Sequence, residues 1–190
     1  MKTILFGIAI AASTFTACTE NATQSQEATN TDTAKANTPA TNGAITTAST
    51  NEVVAHYLHL KNALASDDSK EAATAGRAVV NAIDKIDAAS LTADQKKVYD
   101  EVKDDIKEHS EHISTNADKI AHQREHFDML SLDMYDLVKS VKPGQTLYKD
   151  HCPMFNDNKG AIWLSEVKDI KNPYYGKKML TCGEEQEEIK

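Results

Sequence analysis

Two short groups near the end of the chain each pair a cysteine with a methionine: His151-Cys152-Pro153-Met154 and Met179-Leu180-Thr181-Cys182-Gly183. Thiolate and thioether are soft donors, which select Cu(I) and related ions over Mg or Ca. Cys152, Met154, Met179 and Cys182 are therefore candidate metal ligands. In an exported domain the same two cysteines also suit a disulfide. Closing a loop of about 30 residues would stabilise the fold by about 3.5 kcal/mol on the chain-entropy argument. A disulfide needs neither methionine, and a metal site needs both thiols reduced, so both alternatives stand at this level.

A second candidate set is helical. His122 and His126, in His122-Gln123-Arg124-Glu125-His126, are four residues apart, so both imidazoles fall on one side of a helix. His112 lies upstream beside an apolar Ile113, close to them if two antiparallel helices meet there. Imidazole suits Zn, Cu, Fe and Ni alike, so these residues do not name an ion. A histidine pair one turn apart is also common on a solvated face. By the same reasoning His56 and His109 read as surface residues, Met129 and Met134 as core filling, and Glu108 and Glu111 as a charged face. The His-Glu-x-x-His zinc-protease pattern is absent, as are a phosphate-binding glycine loop and a nucleophile elbow around Ser165. No nucleophile–base pair is recognisable from spacing, so the expectation is a binding protein and not an enzyme.

The elements that must position these residues are mainly helical. Low aromatic content and many Ala, Lys, Asp and Glu favour helix. Val53, Val54, Tyr57, Leu58 and Leu64 share one face, with Asn51 as a cap and Asp67-Asp68-Ser69 as a break. Ala72, Ala75, Val79, Ile83 and Ile86 mark a second helix, interrupted by Gly76 and closed by Ser90. Thr92 with Gln95 forms a capping-box pattern opening a third, whose stripe is Val98, Val102, Ile106 and Ile113. The fourth spans about 117–141, with Ile120, Phe127, Leu130, Met134, Leu137 and Val138 inward and Pro143-Gly144 as the stop. Short connections predict an antiparallel up-down four-helix bundle over 50–142. An irregular tail over 143–190 follows, with strands at Leu147-Tyr148 and Ile162-Trp163-Leu164 and a turn at Asn156–Gly160. It must pack on the bundle to cover Trp163, Tyr174 and Tyr175.

Upstream, residues 1–18 read as an export signal. Lys2 precedes an apolar run from Ile4 to Ala12, too short to span a bilayer, and small residues lead to Cys18. Ser13-Thr14-Phe15-Thr16-Ala17-Cys18 resembles a bacterial lipobox, which makes Cys18 the lipidation site. An ordinary secretory signal cut near Ala17 is the alternative. Residues 19–49, nearly free of aliphatic and aromatic side chains, read as a disordered tether. The expected location is the cell envelope, lipid-anchored and facing the periplasm, with secretion or surface exposure as alternatives. The formal net charge of −8 argues against a nucleic-acid partner, which needs a basic footprint.

The runs His122–Phe127, Cys152-Pro153-Met154, Lys159–Ser165, Asn172–Gly176 and Met179–Gly183 resemble, taken together, an uncharacterised bacterial family, domain of unknown function 3347. The resemblance extends from about Val53 to Ile189. Members occur as exported stand-alone proteins and as extensions of adaptor subunits of copper and silver efflux pumps. It implies heavy-metal handling in the periplasm by association, and it brings no catalytic residues. The resulting expectation is Cu(I), with zinc as the alternative, bound for sequestration or hand-over to an efflux adaptor. The membrane would be touched through the lipid alone. The competing reading is an interaction module stapled by a Cys152–Cys182 disulfide.

Overall fold

The computed structural model describes residues 42–142 and 144–190, with side chains from Ser49 onward. The export signal with Cys18, the tether up to residue 41 and Pro143 lie outside the described residues. Four long helices, α1 (Asn42–Ala65), α2 (Ser69–Ile83), α3 (Ala93–Thr115) and α4 (Ile120–Val141), pack each on the next. A small antiparallel sheet follows, formed by β1 (Leu147–Cys152), β2 (Ala161–Ser165) and β3 (Glu184–Ile189) in the order β2-β1-β3. Among the described residues no helix is long and apolar enough to cross a membrane.

The apolar stripes become the core. Val53, Tyr57, Leu64, Val79, Ile83, Ile106, Ile113, Phe127, Leu130, Met134 and Leu137 are all buried. The expected capping box opens α3: Thr92 accepts from the Gln95 backbone N–H, and the Gln95 side chain accepts from the Thr92 N–H. Thr92→Ala is expected to destabilise the domain by about 1 kcal/mol in chemical denaturation, the usual cost of losing an N-cap. Gly76 weakens α2 intrinsically, yet a Cβ there would lie 3.0 Å from both Ser110 O and Ile113 Cγ2. The glycine lets α2 and α3 approach closely, directly beneath the end of α3 that carries the histidines.

Three details differ from the expectation. Helix α1 begins at Asn42, so Asn51 is interior and not a cap, and the first described residues of the 19–49 segment are helical. The Asn51 side-chain oxygen instead accepts from the Gly144 N–H at 3.1 Å, tying α1 to the end of α4. Helix α2 ends at Ile83, and Ala88–Ser90 form a separate 3-10 turn capped by Asp87. The tail is more regular than expected, because Glu184–Ile189 form a third strand along β1. The expected turn is present at Phe155–Asn158, where Asn156, Asp157 and Asn158 all have positive φ, a conformation in which Asn and Asp are enriched.

The sheet is pinned to the helices by both apolar and polar contacts. Trp163 and Tyr174 are buried, and Tyr174 lies against Phe127, Phe155 and Trp163 at ring separations of 5.7, 4.4 and 6.0 Å. The Leu164 N–H donates to the Tyr57 hydroxyl at 3.1 Å, which also meets Ser131 at 2.8 Å. Arg124 donates to the Pro173 and Leu64 carbonyls and to Asp67. Gly176, at φ 54°, sits where a Cβ would fall 2.0 Å from Asp67 Oδ1, so the tail can close over this ion pair only with a glycine there.

Candidate metal centre

The hairpin joining α3 to α4 is held by polar contacts, exposed at Asn116 and buried at Gln123. Asn116 caps α3, donating to the His112 carbonyl at 2.8 Å. Gln123, fully buried in the first turn of α4, donates to the Ile113 carbonyl at 3.1 Å and to the Ser69 carbonyl at 2.9 Å. It thereby adds a second donor to the Ile113 carbonyl, which the Asn116 N–H also reaches, and fixes α4 against α2 and α3. With this geometry, residues three and four apart on the two helices face one another.

Four imidazoles meet at that point. One donor atom from each of His112, His122 and His126 lies within 4.8 Å of the others, a spacing that can close on a metal ion. The His112 and His126 rings stack with centroids 4.2 Å apart, and His122 meets His126 edge-on at 4.5 Å. His109, which the sequence places on the surface, is half-buried and joins them: its Nδ1 lies 3.2 Å from Nδ1 of His126. The reason is the crossing of α4, which covers a face of α3 that α3 by itself would leave to water.

Two of the three clustered histidines have their Nδ1 already engaged. His122 Nδ1 donates to Glu125 Oε2 at 3.3 Å, and His126 Nδ1 shares a hydrogen bond with His109 Nδ1. A second partner of this kind fixes tautomer and ring orientation in metal-ligating histidines and leaves Nε2 for the ion. Burial, followed by the neighbouring His112, His122 and His109, pushes the His126 imidazole down to about 4. Burial also lowers His109. Burial thus favours the neutral imidazole at His126 and His109, the form a metal requires.

The sulfur donors form a separate set. Cys152 ends β1 and is buried, whereas Cys182 is half-buried and Met154 is 45% exposed. Cys182 Sγ lies 4.0 Å from Met154 Sδ. Burial, the charge of the adjacent Cys152 and a hydrogen bond to it raise the Cys182 thiol. Both cysteines are free in the structure. Asn172, fully buried, organises the loop that brings them together, donating to the Cys182 carbonyl at 2.7 Å and accepting from the Tyr174 and Tyr175 N–H groups. Met179 meets this group through its backbone, its carbonyl accepting from the Cys182 N–H at 3.0 Å. Neither cysteine belongs to the histidine cluster. Of the two helical methionines, Met134 is core as expected, but Met129 is 41% exposed.

No curated protein and no solved structure matches this chain. The family match covers residues 53–146 and ends before the Cys-Pro-Met and Met-Leu-Thr-Cys-Gly groups, so it rests on the helices and not on the tail. Those helices, which carry all four clustered histidines, match the family described as protein of unknown function (DUF3347).

Proposed function

We propose that this protein is a lipid-anchored, periplasm-facing metal-binding protein that holds Cu(I) for sequestration or for delivery to an efflux system. The observation that carries the reading is the group of three converging imidazoles with two of their Nδ1 atoms already partnered. Imidazole alone also suits zinc. Cu(I) is favoured by the separate thiol and thioether set at Cys152, Met154 and Cys182, which is soft throughout. Export and the lipid at Cys18 rest on the N-terminal sequence, and the efflux partner rests on the resemblance of the tail motifs. The chemistry is binding and not catalysis.

Titration of the reduced chain with Cu(I), and separately with Zn(II), against a chromophoric chelator tests this reading. Tight binding at a defined stoichiometry that falls when His112, His122 and His126 are replaced is the expected result. Binding indifferent to both the histidines and the cysteines would remove it.

The adjacency of the two thiols also favours a second reading, in which Cys152 and Cys182 close a structural disulfide and the domain docks on an envelope partner. Free-thiol titration of oxidatively purified protein separates the two: two free thiols oppose the disulfide, and none supports it.

A further inference from the structure

Helix α4 and the Cys-Pro-Met turn enclose an open groove of about 720 Å³. Its walls carry the Met129 and Met154 side chains together with the carboxylates of Glu125, Asp128 and Asp157. Both methionines are unusually exposed for residues of their kind, at 41% and 45%, and both face this one space. An apolar ligand is a poor match for a groove that carries three carboxylates. A soft cation is a good one: thioether sulfur binds it directly, while the acidic wall attracts positive charge. The groove also touches both donor sets already described. At one end Glu125 accepts from His122, and at the other the Met154 sulfur contacts Cys182.

We propose that this groove is a further Cu(I) site, in which the thioethers of Met129 and Met154 bind the ion between the imidazole cluster and the thiol pair. The inference rests on the metal-binding reading above and adds Met129 to it. Its chemical sense is exchange. Thioethers hold Cu(I) more loosely than thiolates do, so an exposed pair of them can accept the ion from solution and release it to either neighbouring set by ligand substitution. No electron is transferred and no bond to carbon changes.

The test is a titration of the full reduced chain, labelled with 13C at its methionine methyl groups, with Ag(I) as a redox-inert stand-in for Cu(I). The methyl signals and the histidine ring C–H signals are followed together. The Met129 and Met154 methyls are expected to shift along one common saturation curve while the Met134 methyl, buried in the core, stays still. Met129→Leu, which keeps the size and apolar character of the side chain, is expected to abolish the response at Met154 or move it to higher Ag(I).

Histidine signals that shift while the Met129 methyl does not would overturn the groove site and leave the histidine centre standing. Methionine shifts with still histidines would support the groove and remove the histidine centre. A titration in which no signal moves would remove both.

Discussion

His126→Ala is expected to lower metal affinity by at least about 100-fold while leaving the helical fold intact. Loss of an outer-shell partner alone costs about 10- to 100-fold, and His126 is the hub of the cluster, in ring contact with His109, His112 and His122. His109→Ala, which removes only the partner of His126 Nδ1, should fall within that outer-shell range, and His109→Gln should recover part of the loss by restoring an acceptor. Chelator competition reads both changes. Equal affinity for wild type and His126→Ala would dismiss the centre.

The same residue sets a pH dependence in the metal-free protein. The His126 pKa is about 4 in the fold and 6.5 without it. Between those values the unfolded chain binds the proton more readily, so stability rises with pH there. The contribution is complete above about 6.5 and is lost as pH falls towards 4. Denaturation midpoints in chelator should therefore fall on acidification for the wild type, and fall less for His126→Ala.

Much of this centre is legible in the sequence, because a pair of histidines at i and i+4 needs only one helix to face the same way. What escapes is what two elements create together. His109 is flanked by Lys107 and Glu108 and reads as solvated; only the crossing of α4 buries it. Met129 sits between Phe127 and Leu130 and reads as core, yet the apolar stripe turns past it and the tail leaves it facing a groove. Nor can spacing divide the seven candidate ligands into two sets. That division follows from where β1 ends relative to the α3–α4 hairpin, a tertiary distance with no local signal.

The fold divides in the same way. Four helices, the capping box and the left-handed Asn156–Asn158 turn follow from local rules, and local rules suffice for them. The strand Glu184–Ile189 does not announce itself. Four of its six residues are glutamates, and Ile189 is its one buried side chain. Such a strand exists because β1 offers a ladder of backbone groups, and its charges suit an edge that must not pair with another chain. Composition reads it as solvated tail. Helix α1 errs in the opposite direction, continuing up to Asn42 through Thr, Ala and Asn that carry little apolar signal.

Lys61→Ala is expected to destabilise the domain by about 3 kcal/mol, the lower end of the cost of breaking a buried ion pair from one side, because its partner Glu166 keeps 34% exposure. Lys61 lies on α1 and is fully buried where α1 meets the tail, with its Nζ 2.9 Å from Glu166 Oε2. Asn62 holds the other oxygen of Glu166 at 2.8 Å. Asp150, at the centre of β1 and also fully buried, faces the same charge, and its burial, opposed by Lys61, raises its carboxyl to about 7. Removing the ammonium leaves the buried Asp150 and the half-buried Glu166 without the Lys61 charge that offsets them. A carboxyl raised in this way favours the fold when protonated. Its contribution is present below its ordinary value of 3.8 and is lost as pH rises through about 7. Asp150→Asn should therefore be more stable than wild type at pH 8 by about 2 kcal/mol or more, with the advantage gone near pH 4. Lys61→Ala should lose stability with rising pH more steeply than wild type, and adding Asp150→Asn should restore part of the loss. Urea denaturation of the four proteins at pH 4, 6 and 8 decides the matter. Parallel curves for wild type and Asp150→Asn across that range would show that Asp150 is ionised in the fold throughout.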